Sequence, residues 1–218
     1  MNITLFLLPN SRSQRILWLL EELNCDYKLI LANAVSDNKN IKYPTIEIID
    51  DGTVIRLSET SAIAEFLYHH FKEHPDHITE IRQSANFFFW KNYPDGSFMP
   101  DLALKQIFNQ IVIQTPWPLR FISKSIQFAF HKGYLDKSMK MHMDKIEHHL
   151  TERTWVDGEF GICDILLWFP LLACHVPSSQ GDYPHIEEYL KRIADRSAFK
   201  VALKKGEFSQ ALFDKYWQ

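Results

Sequence analysis

Pro9-Asn10-Ser11-Arg12-Ser13-Gln14-Arg15 is the stretch whose reading decides the fold. Before it, Met1 to Leu8 (MNITLFLL) is an apolar run of the length of a buried strand. After it, Ile16-Leu17-Trp18-Leu19-Leu20-Glu21-Glu22-Leu23 has the broad apolar face of an amphipathic helix. Ser11 and Gln14 have the S-x-x-Q spacing of a capping box, which predicts Ser11 as the N-cap. A hydroxyl then stands at a helix start, beside unpaired N–H groups and the positive end of the dipole, where an anion is stabilised. Helix capping with no ligand is the alternative.

Downstream, strands and helices alternate. Tyr27 to Leu31 reads as a second strand, and strand-helix-strand predicts a parallel pair with a right-handed crossover. Ala32 to Lys42 is polar and aperiodic, a loop with at most one helical turn. Thr45 to Ile49 alternates as a strand, Asp50-Asp51-Gly52 turns, and Thr53 to Leu57 returns antiparallel. Ser58-Glu59-Thr60-Ser61 opens a helix from Ala62 to Phe71. This order is that of a thioredoxin-like half. Pro44 before the third strand suits it, through a cis bond that leaves the Tyr43 backbone to pair with an extended peptide; a trans proline at a sheet edge is the alternative.

Beyond a linker at His74-Pro75-Asp76-His77, only helices are expected. Ile81 to Trp90 is interrupted or kinked by Tyr93 to Pro100, and Leu102 to Ile113 continues it. Leu119 to Leu150 is one helix, or two broken at Gly133. Ile162 to Cys174 is the most apolar helix, hence central and buried on all sides. Pro184 starts the last helical region, Ile186 to Ile193, with a polar tail behind it. The expected fold is an α/β thioredoxin-like domain over residues 1–73 and an all-α domain over residues 79–218.

Composition narrows the function. The 218 residues are 46% hydrophobic and 23% charged, an ordinary globular balance long enough for a real core. A net charge of −3 argues against a nucleic-acid surface. No apolar run is long enough to span a bilayer, and no signal peptide opens the chain, so no membrane partner is expected. Cys25, Cys163 and Cys174, odd in number and in apolar or element-end settings, suit a reducing cytoplasm, and with no C-x-x-C pair thioredoxin-type exchange has no sequence support. The histidines lack metal-ligand spacing, so no metal is expected.

Three segments in register, P-N-S-R-S-Q-R-I-L-W-L-L-E-E-L, K-Y-P-T-I-E-I and L-S-E-T-S-A-I-A-E-F-L, resemble the N-terminal half of cytosolic glutathione S-transferases. Y-P-D-G-S-F-M-P-D-L and W-V-D-G-E-F-G-I-C-D-I-L-L-W-F-P-L are similar to segments of the family's fungal and bacterial branch, typified by a yeast enzyme. In the second, Gly161 replaces the family's capping hydroxyl while Asp164 keeps the third helical position.

The resemblance implies a dimeric, cytoplasmic detoxification enzyme that conjugates the glutathione thiolate to small hydrophobic electrophiles, with glutathione as co-substrate and no cofactor. A binding protein on the same scaffold, and a glutathione-dependent peroxidase or carrier, are the alternatives. A free thiol has a pKa of about 8.5, and lowering it by about 2 units, roughly 2.7 kcal/mol, is within reach of one hydroxyl and a helix N-terminus. Ser11 matches the catalytic serine by its distance from Arg15. Asn10 falls in the slot that holds cysteine in other classes, and offers an amide instead. Glu59 and Thr60 match the residues for the γ-glutamyl amine and carboxylate, Tyr43 and Pro44 the backbone clamp, and Lys42 the glycyl carboxylate. Arg15 is structural. Leu8, Tyr93, Ser97, Phe98 and Trp117, with Trp168, are the expected electrophile lining, against the alternative that such aromatics are core. Phe87 to Trp90 are assigned to core and dimer contact. The loop before Pro44 is shorter than in the branch, which bears on the glycyl end of the site.

Overall fold

The computed structural model describes residues 2–34, 41–71, 81–174 and 183–217. Strands β1 (Asn2–Leu7), β2 (Tyr27–Leu31), β3 (Thr45–Asp50) and β4 (Thr53–Ser58) form one sheet in the order β2-β1-β3-β4. β1 runs parallel to β2, with Leu5 opposite Leu29, and antiparallel to β3, with Leu5 opposite Ile46. Helix α1 (Gln14–Glu22) makes the crossover between β1 and β2. α2 (Thr60–Phe71) follows β4. Alternation in β1 buries Ile3, Leu5 and Leu7 in one core with Ile16, Leu17 and Leu20 of α1 and Ile63 and Leu67 of α2. The β3–β4 hairpin turns on Asp51 at φ 46° and Gly52 at φ 79°, the left-handed pair that a two-residue turn requires. Asn24, at φ 54°, ends α1, and the Cys25 N–H donates back to the Leu20 carbonyl at 3.1 Å. This is the thioredoxin-like half expected from the element order.

The rest of the described chain is helical. α3 (Ile81–Tyr93) passes through a π-helical turn at Pro94–Phe98 into α4 (Met99–Gln114). A short turn at Trp117–Leu119 leads to α5 (Arg120–Phe130), and a second π-turn at His131–Leu135 leads to α6 (Asp136–Leu150). The expected kink after residue 93 and the break at Gly133 are therefore both π-turns. The linker at 74–77, and with it the boundary between residues 73 and 79, lies outside the described residues, as does the loop over residues 35–40.

α7 (Ile162–Cys174) is buried along its length except at Leu172, as its unbroken hydrophobicity requires. Its first turn is held by Asp164, which accepts N–H bonds from Gly161 at 2.9 Å and Val156 at 3.1 Å and an O–H bond from Tyr189 at 2.8 Å. Burial pushes the Asp164 carboxyl up to about 6 against these donors. α8 (Pro184–Asp195) begins with proline in its first turn.

The polar tail expected after Ile193 is instead two packed helices, α9 (Ser197–Lys205) and α10 (Gln210–Trp217). Each is too short to give a clear period, yet Phe199, Ala202, Phe213 and Trp217 are all buried. Phe199 sits edge-on to Trp18 of α1 at 4.8 Å and to Trp168 of α7 at 5.1 Å. Gln14 lies against Gly206, where an added Cβ would collide with its amide. A side chain at 206 would displace that amide from the Ala202 carbonyl.

Candidate functional site

The loop after β1 folds on itself. The Ser11 Oγ–H donates to the Leu8 carbonyl at 2.7 Å, and the same oxygen accepts the Ser13 N–H at 3.1 Å. The Gln14 N–H donates to the Ser11 carbonyl at 3.1 Å, so Ser11 starts the turn that leads into α1. The predicted capping box does not close. Gln14 is buried and its amide donates across the molecule to the Ala202 carbonyl at 2.6 Å, and α1 begins at Gln14 with Ser13 before it. A long-range bond has outcompeted the local one.

Asn10 adopts φ 56°, and its Oδ1 accepts the Ser209 N–H at 2.7 Å, at the entrance to α10. Its side-chain oxygen is thus spent on the C-terminal helix.

A cavity of about 740 Å³ opens beside this loop. Leu8 to Arg12, Tyr43 and Asp95 form its polar side. Met99, Ala103 and Ile107 of α4, and Leu212, Tyr216 and Trp217 of α10, form its apolar side. The Tyr43–Pro44 peptide is cis. Lys105 donates to the Trp217 carbonyl at 2.9 Å and Gln106 donates to the Tyr216 carbonyl, so α4 satisfies the open end of α10.

Beneath the loop, Arg15 is fully buried and donates to the Leu166 carbonyl at 2.9 Å and to Asp95 at 3.0 Å. Ser61, in the first turn of α2, donates to the other Asp95 oxygen at 2.5 Å. Burial pushes the Asp95 carboxyl up, but Arg15, the Ser61 hydroxyl and the nearby Arg12 charge outweigh it and hold the group below the usual carboxylate range. Burial lowers the Arg15 pKa while Asp95 raises it; the guanidinium stays charged, with its salt bridge made. One ion pair therefore joins α1, α2, α7 and the π-turn after α3 directly under the cavity.

The sequence-predicted residues divide. Ser11, Asn10, Tyr43 and Leu8 line the cavity. Lys42 borders a separate hollow of about 350 Å³ with Phe6, Thr45 and Arg56, and its carbonyl accepts the Thr45 hydroxyl at 2.6 Å. Glu59, exposed and at φ 75°, precedes α2, with its carbonyl accepting the Ile63 N–H at 2.9 Å; Thr60 is the buried first residue of that helix. Pro44 is buried beside Tyr43.

Five expected lining residues lie elsewhere. Tyr93 is buried against His142, with 2.5 Å between its hydroxyl and Nδ1, and Phe98 stacks on the same imidazole at 4.6 Å. Ser97 is exposed on the π-turn and off the cavity lining, although Asp95 of the same turn reaches it. Trp117 is 84% exposed at the α4–α5 connection. Trp168 belongs to the aromatic core with Trp18 and Phe199. The sequence reading missed Arg12, Asp95 and the α10 wall. Leu212 and Tyr216 stand four apart, a helical signal present in the tail.

No profile of a known protein family matches the chain. Three curated relatives do. Glutathione S-transferase 3 of Schizosaccharomyces pombe is 28% identical, over 94% of this chain and 88% of its own length. Glutathione S-transferase 1 of Saccharomyces cerevisiae is 26% identical, over 91% and 93%. The disulfide-bond oxidoreductase YfcG of Escherichia coli is 25% identical, over 97% and 99%. Among solved structures, a glutathione S-transferase from Actinobacillus pleuropneumoniae superposes with a TM-score of 0.68 at 24% identity, covering 97% of this chain and 99% of that one; this likeness is one of fold. The chain is thus similar over nearly its whole length to two fungal glutathione S-transferases, and it shares with a bacterial one the fold of thioredoxin-like half and helical remainder.

Proposed function

We propose that the protein conjugates the thiolate of glutathione to small hydrophobic electrophiles. The observation that carries this reading is a single cavity with a hydroxyl and a guanidinium on one side and an apolar wall on the other. A reaction that joins an anionic sulfur to an apolar carbon centre needs both.

In this reading Ser11 donates its hydroxyl to the sulfur. Its proton now lies on the Leu8 carbonyl, so the donor must rotate, giving up a bond worth about 1 kcal/mol for a charge-assisted one worth about twice that. Arg12 adds positive potential beside it. Tyr43 offers backbone groups to the cysteinyl unit, and Pro44 fixes their direction. Glu59 and Thr60, at the start of α2, take the γ-glutamyl amine and carboxylate, and Lys42 takes the glycyl carboxylate. The electrophile rests on Met99, Ile107, Leu212 and Tyr216. The protein works as a homodimer in the cytoplasm, with Phe88 and Phe89, both about half exposed on α3, at the dimer contact. No cysteine lines the cavity, so any disulfide chemistry here would use the thiols of glutathione alone.

Calorimetric titration with reduced glutathione tests the site. Binding with a Kd on the order of micromolar to millimolar, weakened by Glu59→Ala, is expected. Turnover of an activated aryl halide then tests conjugation. Binding without conjugation but with hydroperoxide reduction would make the protein a peroxidase. Absence of binding at millimolar glutathione would make it a scaffold protein.

A further inference from the structure

We propose that the α4–α5 hairpin docks on an anionic lipid surface. From Leu102 to Leu135 the chain has no Asp or Glu, yet it holds Lys105, Arg120, Lys124 and Lys132. The whole chain carries a net charge of −3, so this hairpin is a cationic segment in an otherwise acidic protein. Lys132 pairs with Asp136 and Lys105 caps α10; Arg120 keeps its charge while donating to the carbonyls of Ile113 at 3.2 Å and Thr115 at 3.3 Å, so it and Lys124 are the cations of the tip.

Around them the apolar face of α5 points to solvent. Phe121 is 67% exposed and Phe128 66%, with Ile122 and Ile126 about half exposed, whereas the small Ser123 is the buried side chain of this helix. Trp117, the most exposed of these, stands at the hairpin tip. Exposed aromatics and aliphatics interleaved with Arg and Lys, and free of acids, are what an interfacial helix presents to headgroups and acyl chains. Each basic residue near such a surface contributes about 1 kcal/mol.

A second copy of the chain fits less well. A two-fold contact through this patch would set Arg120 and Lys124 against the same cations. Among the described residues no helix is long and apolar enough to cross a membrane, so the hairpin lies on the surface. An apolar strip through Ile107 and Ile111 joins the tip to the cavity wall. If the transferase reading holds, a lipid-dissolved electrophile has a route to the site; lipid docking itself stands without that reading.

The test is vesicle flotation of the full chain with phosphatidylcholine vesicles, with and without about one-third phosphatidylserine. Quenching of tryptophan emission by bromine-labelled lipids accompanies it. Trp18, Trp90, Trp168 and Trp217 are buried and Trp155 is partly buried away from the hairpin against Phe160 and Tyr189, so a lipid quencher at the tip reports chiefly on Trp117. Salt-sensitive flotation with the anionic vesicles, with quenching, is expected. The Phe121→Ser/Phe128→Ser pair should lower it about tenfold, and Lys124→Glu by about fivefold, with glutathione binding unchanged in both. Equal flotation with neutral vesicles, or none with anionic ones at low salt, would overturn the proposal. So would a shift of the Phe variants from dimer to monomer without any vesicle effect, which would give the patch to a second copy. Retention on an acidic protein but not on lipid would do the same.

Discussion

On its polar side the cavity is walled by five consecutive residues, Leu8 to Arg12, whose hydrogen bonds run largely among themselves and to Ser13. On its apolar side the wall comes from α4 and α10, more than a hundred residues apart, joined by Lys105 and Gln106 reaching the last carbonyls of α10. The first wall is local in sequence and, in the proposed reaction, decides which atoms meet the sulfur. The second is assembled by tertiary packing and fixes what apolar shape is accepted. Chemistry and specificity therefore rest on different kinds of interaction, and substitutions should separate them.

The largest effect should come from the pair that lies beneath both walls. Arg15→Met leaves Asp95 and the Leu166 carbonyl without their cation. Breaking a buried pair costs about 3–5 kcal/mol, and because the Asp95 side chain keeps 24% exposure the lower end, about 3 kcal/mol, is expected in denaturant unfolding. A loss under about 1 kcal/mol would mean that the halves are held by apolar packing alone. Next in size is Ser11→Ala. Removing a charge-assisted donor should raise the pKa of bound glutathione, read by thiolate ultraviolet absorbance, by about 1–2 units and lower kcat/KM about tenfold to a hundredfold at neutral pH. Electrophile KM should hardly move. Smaller again is the acid response of Asp95. Its folded pKa is depressed, so the stability it contributes is present above the unfolded value of about 3.9 and is lost as pH falls through the lower folded one. Asp95→Asn should flatten the fall of stability with acid below about pH 4; an unchanged acid slope would remove the pair from that account.

The same contrast explains what could be seen in the sequence. The sheet, the crossover helix and the β3–β4 hairpin follow from period-two alternation, a helical apolar face and Asp51-Gly52, all of them local signals. Ser11 and Tyr43 stand in motifs and reach the cavity. Tyr93, Phe98 and Ser97 also stand in a motif, yet Tyr93 and Phe98 are buried against His142 and Ser97 is exposed on a π-turn whose extra residue no residue spacing reveals. α9 and α10 were hidden for another reason. They are short, and their burial depends on partners such as Trp18 and Trp168 far earlier in the chain. Gln14 shows the limit most sharply. Its spacing from Ser11 is that of a capping box, but its amide serves Ala202.

Asn10 is where the two walls touch, and it supplies the smallest predicted effect. Its Oδ1 accepts the Ser209 N–H one residue before α10, so Asn10→Ala frees that donor at the helix entrance. The lost bond is worth about 1 kcal/mol, which would let Leu212 and Tyr216 shift and raise electrophile KM about fivefold. On the proposed role of Ser11 the sulfur keeps its donor in this variant, so the pKa of bound glutathione should stay where it is. Thiolate absorbance and KM measured on the one variant thus separate two roles for one side chain. A raised KM at constant thiol pKa makes Asn10 a positioning residue for the apolar wall. A raised thiol pKa at constant KM would instead make its amide a donor to the sulfur, and the polar wall would then carry two thiolate donors where the geometry of Asn10 and Ser209 supports one.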